Sequence, residues 1–304
     1  MKRRVPGRCF SNLKRRLSSP GEVKHAASTA SLSLHLATFF LLFTIPLIIL
    51  HWGLLRLPFF WDEHGQFIPT ALDLFRHGWW VAHSTLPNIH PPGVEAYLVV
   101  WYKLFGYSIP VTRVAMLALS GCGLLLLFLL SVELSRNMRG LPAFYPPVLL
   151  AVSPLFYMQS MMAQLDMPAM VFTLLALLLF LKEKYAASAL ASVALVMAKE
   201  TGAVTPAVLF GFLLCAKQYR QASFYLAVPV ALGTWLLVLH GATGYWMGNP
   251  GFEQYNVSYS FEPVHIACAI FRRIYYLFSA EFRWIGSLVV VLARKRLWMQ
   301  RSRA

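Results

Sequence analysis

The stretch that decides the fold runs from Pro110 to Glu133, PVTRVAMLALSGCGLLLLFLLSVE. It carries one charge near its start, Arg113, and one at its end, Glu133. As a helix it would be about 36 Å long, enough to cross a hydrocarbon core of about 30 Å. Working outward, seven more apolar runs read the same way: Ser31–Leu50, Leu141–Ser160, Met167–Leu181, Tyr185–Ala203, Val204–Ala216, Ser223–His240 and Ile274–Ala293. Lys199, Glu200 and Pro206 interrupt the boundary between the fifth and sixth runs. The whole chain agrees: of 304 residues 58% are hydrophobic and 13% charged. That is about half the charge of an average soluble domain. So few polar side chains cannot cover a soluble globule, and so many apolar ones exclude disorder. The expected fold class is all-α, a polytopic membrane protein of about eight transmembrane helices.

The formal net charge is +15. In a soluble protein this would suggest nucleic acid, but here the basic residues sit at the chain ends and in short gaps between apolar runs. Nineteen of the 27 Lys and Arg fall on one side if both termini lie inside. They are the basic arm (residues 1–30), Arg136, Arg139, Lys182, Lys184, Lys217, Arg220 and the basic tail (residues 294–304). The expected partners are therefore membrane lipids and not nucleic acid. Residues 58–108 and 241–273 then form two outer segments, rich in aromatics and suited to juxtamembrane helices, with a helix starting near Pro92 and ending at Gly106. The four cysteines form no CxxC, so no disulfide framework or metal cluster is implied.

The polar residues that remain cluster on the outer side. Asp62 and Glu63 follow the first span directly, where paired acids are costly near hydrocarbon and suggest function, although a solvated helix start would also suit them. His90 precedes Pro91-Pro92, Asp166 lies in the turn before the fourth span, and Arg113 and Lys199 lie at the outer ends of spans. Arg272 and Arg273 precede the last span. Asp166 also suits a helix cap, and the cations suit headgroup contact. Cations on this face could equally hold an anion such as a lipid phosphate.

In order and spacing these residues resemble the C-type glycosyltransferase superfamily, above all the branch with protein O-mannosyltransferases, aminoarabinose transferases and Rgt-type galacturonosyltransferases. The likeness covers roughly residues 55–205. It rests on Asp62-Glu63, then His90-Pro91-Pro92 with Tyr97, Trp101, Lys103, Leu104, Phe105 and Gly106. It continues through Arg113, Ser153-Pro154-Leu155-Phe156, Asp166-Met167-Pro168 and Ala198-Lys199. The chain departs from the pattern at Gln66, where relatives often have Tyr, at Gly93 in place of Leu, and at His90 in place of the Lys of aminoarabinose transferases. Relatives commonly continue to eleven or more spans, so the likeness implies an N-terminal catalytic half.

The resemblance implies an integral membrane enzyme that moves a sugar from a polyprenyl-phosphate carrier to a hydroxyl of a lipid, glycan or protein. Transfer would occur with inversion on the outer face, by default of a bacterial inner membrane. Asp62 is the expected base, Glu63 or Asp166 the orienter or acceptor binder, and His90, Arg113, Lys199, Arg272 and Arg273 the phosphate holders. The inventory suits the chemistry. An attacking hydroxyl needs a base. A phosphate leaving group needs positive charge and no general acid, unlike an ordinary glycoside. No cofactor is expected and no metal is required, although His64, His90 and Glu63 could approach one. A transporter or flippase would instead place charges at mid-span in repeated halves. An inactive, truncated relative is the other alternative.

Overall fold

The computed structural model describes residues 29–135, 142–258, 261–280, 283–289 and 291. Most of the basic arm and the whole basic tail lie outside these residues, as do Arg136 and Arg139. Among the described residues every regular element is helical. In chain order they are α1 (Thr29–Leu50), α2 (Ile68–His77), α3 (Gly93–Phe105), α4 (Ile109–Ser135), α5 (Tyr145–Ala151), α6 (Pro154–Gln159) and α7 (Asp166–Leu181). There follow α8 (Tyr185–Ala198), α9 (Val204–Cys215), α10 (Tyr219–Ser223), α11 (Ala227–Thr243), α12 (Pro250–Glu253) and α13 (Pro263–Phe278). The chain divides within α1 into two units, Met1–Phe39 and Phe40–Ala304. The first is described only as the opening turns of that helix. All that follows concerns the second.

The centre of the second unit is α4. Ala115, Met116, Leu117 and Leu124 of α4 are buried with Leu98 and Tyr102 of α3, Leu47 of α1 and Met167 of α7. Close approach depends on small residues, as packing between apolar helices requires. A Cβ on Gly121 would lie 2.0 Å from Thr44 Oγ1 and 3.1 Å from the Thr44 Cα. On the other side, α7 packs along α8, and α8 along α11. Leu41, Leu42, Ile45 and Ile49 of α1, Val208 and Phe212 of α9, and Val230 and Leu237 of α11 point outward. An apolar exterior around a packed interior is what a bilayer solvent selects. The chain is an all-α, polytopic membrane fold. Two helical stretches, Ile109–Ser135 and Tyr219–Thr243, are long and apolar enough to cross by themselves, and four shorter apolar helices accompany them.

Three expected spans differ from the helices observed. The run 141–160 is broken into α5 and α6, because Ser153 precedes Pro154 and takes an extended ψ of 127°. Neither piece is long enough to cross alone. The break between the fifth and sixth runs falls at Lys199, which is extended (φ −157°, ψ 117°), rather than after Ala203. The last run, 274–293, begins inside α13, which starts at Pro263 and ends at Phe278, so it is not one continuous helix. The expected outer-loop helix matches α3, with Pro92 before it and Gly106 (φ 78°) closing it.

Candidate active site

The segment after α1 enters the core through Glu63. Its side chain is wholly buried, as is that of Arg113 on α4. Arg113 Nη1 donates to Glu63 Oε1 at 2.5 Å and Nη2 to Oε2 at 3.1 Å, a two-pronged pair. The same guanidinium donates to the carbonyls of Met161 (3.1 Å) and Pro58 (3.0 Å) and lies 5.1 Å from the Phe59 ring centroid. Glu63 also accepts from the Ala163 N–H at 2.6 Å and the Phe60 N–H at 3.1 Å. Burial of two charges is tolerable only with this degree of pairing.

The clamp fixes what lies beside it. Glu63 N–H donates back to the Phe60 carbonyl at 2.9 Å, so residues 60–63 form a tight loop. Inside it Trp61 is held at φ 42°, a region that costs a bulky residue about 1–3 kcal/mol. A π-helical turn, Glu63–Phe67, follows. Asp62 sits at the head of this turn with an exposed side chain, and among the described residues it has no hydrogen-bond or ion-pair partner. The two adjacent acids thus meet opposite fates, one sealed inside and one free outside.

The 157–163 segment is pinned as firmly. His51 is buried, stacks on Tyr157 at 4.1 Å and reaches the Tyr157 carbonyl through Nε2 at 2.9 Å. Ser120 of α4 donates to the Ser160 carbonyl at 2.8 Å. Three residues past Ala163, Asp166 opens α7 in its first turn, Leu165 holding the cap position. Asp166 Oδ1 accepts from Lys199 Nζ at 2.6 Å. Next to Lys199, Glu200 Oε2 meets His90 Nδ1 at 2.8 Å. His90 in turn faces Phe67, the last residue of the π-helical turn, at 6.2 Å between ring centroids. Residues 62–67, 161–166, 199–200 and 90 therefore form one closed series of contacts at one end of the bundle.

Of the residues expected at the site, Glu63, Asp166, His90, Arg113 and Lys199 join this series through their own contacts, and Asp62 joins it only as the residue before Glu63. The expectation that Arg113 grips a phosphate is corrected: four hydrogen bonds and full burial leave it inside the protein, as a structural partner of Glu63. Glu63 is likewise removed from direct contact with an acceptor. Arg272 and Arg273 are exposed on α13 and, among the described residues, make no hydrogen bond or ion pair with the series. Among the described residues no group of three or more His, Cys, Asp or Glu is placed to hold a metal ion, and Glu63 is not available to His64 and His90.

Two acids were missed from sequence. In the sequence Glu200 stands out only as an interruption between apolar runs. Glu95 lies on α3 at 4% exposure, one of its oxygens unpartnered. Its spacing to Leu98, Val99 and Tyr102 puts it on the buried stripe, a signal the sequence did contain. Burial pushes its carboxyl up from the ordinary 4.5 to about 8, the Glu95 backbone N–H opposing weakly. Nearby Asp73 goes the other way: burial would raise it, but hydrogen bonds from Ser84 and His83 lower it.

This architecture has solved counterparts. The fold is similar to that of ArnT. The structure of ArnT from Cupriavidus metallidurans bound to undecaprenyl phosphate matches 74% of this chain and 44% of its own, with a TM-score of 0.53 and 19% identity. The apo form matches 71% and 44%, with a TM-score of 0.52 and 20% identity. ArnT is an aminoarabinose transferase with the C-type glycosyltransferase fold, so the likeness read from the motifs holds at the level of the fold. The chain spans under half the length of the ArnT structures it matches. No protein-family model matches it, nor does any curated protein sequence.

Proposed function

We propose that this chain is an integral membrane glycosyltransferase that takes a sugar from a polyprenyl-phosphate carrier and passes it to a hydroxyl group on the non-cytoplasmic face, with inversion. The observation that carries this reading is Asp62, an exposed, unpartnered carboxylate set beside a clamped neighbour in a fold similar to that of ArnT. Asp62 accepts the proton of the acceptor hydroxyl as its oxygen attacks C1. The bond from C1 to the carrier's phosphate oxygen breaks, and the carrier leaves as a phosphate monoester. That anion asks for positive charge and not for a proton donor.

Lys199 is the first candidate to supply it. Its pair with Asp166 is partly open, the two side chains being 28% and 60% exposed, so an incoming phosphate can compete for the ammonium. His90 joins it from the next position in the series, and Asp166 and Glu200 orient the two side chains. The exposed Arg272 and Arg273 add attraction for anionic headgroups or the carrier. Hexosyl or pentosyl donors and lipid, glycan or protein acceptors all fit, and a bacterial inner membrane is the proposed home. No step needs a cofactor.

The test uses the full chain in membranes supplied with radiolabelled undecaprenyl-phosphate sugar. Asp62→Asn is expected to lower transfer by about 10²–10⁴-fold, the usual contribution of a positioned base, while carrier binding persists. Wild-type rates in that variant would remove Asp62 from the chemistry.

A further inference from the structure

The end of the bundle opposite the candidate active site carries an open groove of about 510 Å³. Its place follows from the run of the helices. α7 leads from Asp166, in the site, to Leu181 at the far end, and α8 returns to Ala198 beside Lys199. α9 then leads from Val204 back to Cys215 at the far end. The turn at 182–184 and the segment 216–224 therefore meet there, and both contribute to the groove. We infer that this groove binds an anionic phospholipid, with its phosphate on Lys184 and Arg220 and an acyl chain along the apolar floor. The inference stands apart from the transferase reading.

The first support is charge. Lys184 and Arg220 line the groove from two different segments, and both are exposed. Among the described residues neither side chain has a hydrogen-bond or ion-pair partner. Lys182 and Lys217 stand in the same two segments, so four cations share them with one carboxylate, Glu183. Both cations of the lining are therefore free to meet a phosphate.

The second support is the floor. Tyr185, Ala186, Ala187 and Phe224 give the groove a mostly apolar lining. Leu190, one helical turn beyond Ala186 on α8, is 71% exposed and continues the apolar track toward the middle of the bundle. A free anion or an acidic peptide would use the cations and leave this surface wet. A phospholipid uses both, its headgroup at the rim and its chain on the floor.

The third support is the frame. Tyr225 donates to Ser188 Oγ at 2.7 Å, and Ser188 donates to the Ala176 carbonyl at 2.7 Å, so the residue after Phe224 is tied through α8 to α7. The two turns are closed in the same way. The Lys184 N–H donates to the Leu179 carbonyl at 2.9 Å and the Gln218 N–H to the Leu213 carbonyl at 2.8 Å. Glu183 (φ 56°) and Lys217 (φ 58°) hold the left-handed position that glycine usually takes in such a cap. The walls are thus fixed before a lipid arrives, which lowers the cost of binding one.

The experiment titrates the full chain in detergent with phosphatidylglycerol or with phosphatidylcholine of the same acyl chains, and counts bound lipid by native mass spectrometry. Wild type is expected to bind phosphatidylglycerol at least about 10-fold more tightly. Lys184→Gln with Arg220→Gln is expected to weaken phosphatidylglycerol binding by about 25-fold, two cations at about 5-fold each, and to leave phosphatidylcholine unchanged. Ala187→Trp fills the groove without altering a charge and is expected to lose the bound phosphatidylglycerol as well. Excess inorganic phosphate is expected to leave it in place. Equal affinity of wild type for the two lipids overturns the inference, and this arm needs no variant to fold. Wild-type binding of phosphatidylglycerol by the double variant overturns it too. Wild-type binding by Ala187→Trp would assign the preference to charge spread over the surface and overturn the groove. Displacement by inorganic phosphate would overturn the lipid as its occupant.

Discussion

Replacing Arg113 with Met separates a structural cation from a phosphate-binding one. The change removes two bonds to Glu63 and the bonds to the Met161 and Pro58 carbonyls. It leaves a wholly buried carboxylate with only the Ala163 and Phe60 N–H groups for company. Removing one partner of a buried pair costs about 3–5 kcal/mol, because the survivor remains charged and unpaired. For a chain of this size that corresponds to a fall in melting temperature on the order of 10 °C. Intrinsic fluorescence melting in detergent reads it directly. Glu63→Leu with Arg113→Met removes both charges together and is expected to recover most of the loss. A different outcome would refute the reasoning: a variant that melts like wild type and shows only a raised KM for the carrier sugar. Arg113 would then be meeting a phosphate.

The other predictions follow from single contacts. Glu95→Gln changes the pH dependence of stability. Because the folded carboxyl lies near 8 against an ordinary 4.5, ionisation costs the folded state nothing at low pH and up to about 5 kcal/mol above pH 8. Wild type should therefore lose stability relative to the Gln variant as pH rises from about 5 to 8; parallel melting curves across that range would contradict the burial assigned to Glu95. Gly93→Leu should destabilise by roughly 1–3 kcal/mol by overpacking, since a Cβ there would stand 2.3 Å from the Met197 carbonyl oxygen; wild-type melting in that variant would show that α3 and α8 can part. Lys199→Ala should lower kcat/KM for the carrier sugar by about 10-fold or more, as loss of a charged hydrogen bond predicts, with little change in melting. An unchanged kcat/KM would exclude Lys199 as a phosphate contact.

The helical class was legible because a bilayer leaves little choice: α1, α4 and α7 begin and end within two residues of the runs read from hydropathy. So was α3, whose start and stop are written in Pro92 and Gly106. Where local chemistry overrode hydropathy the reading failed. Leu141–Ser160 is apolar throughout, but Ser153-Pro154 breaks it, and periodicity does not register a backbone torsion. At the site the sequence marked which polar residues flank the apolar runs but not which of them pair. His90 and Glu200 stand 110 positions apart and Lys199 and Asp166 33 apart, so only the packing of α3, α7 and α8 brings each pair together. The role of Arg113 is not legible in the sequence because charge near a span end fits headgroup contact, anion binding and internal pairing equally well. What decides among them is full burial, which a single sequence does not state.

The difference between Asp62 and Glu63 follows from the same turn. Consecutive residues in a helical turn point about 100° apart, so the backbone that sends one carboxylate inward must send the other elsewhere. Glu63 is locked inward by four bonds, and those bonds hold Trp61 in a conformation it would not otherwise keep. The direction of Asp62 is therefore set by an interaction it does not share in. A free carboxylate on a loop would sample many orientations and lose most of the advantage of a positioned base, whereas one at the head of a clamped turn meets its substrate already oriented. The clamp also reaches Ala163, three residues before Asp166, and from there Lys199. The proposed base and the proposed phosphate holder are thus referred to the same buried carboxylate. Such a link explains why a costly buried ion pair is kept where a pair of leucines would pack as well: the leucines would hold the helices together but would not fix the two ends of the chemistry relative to each other.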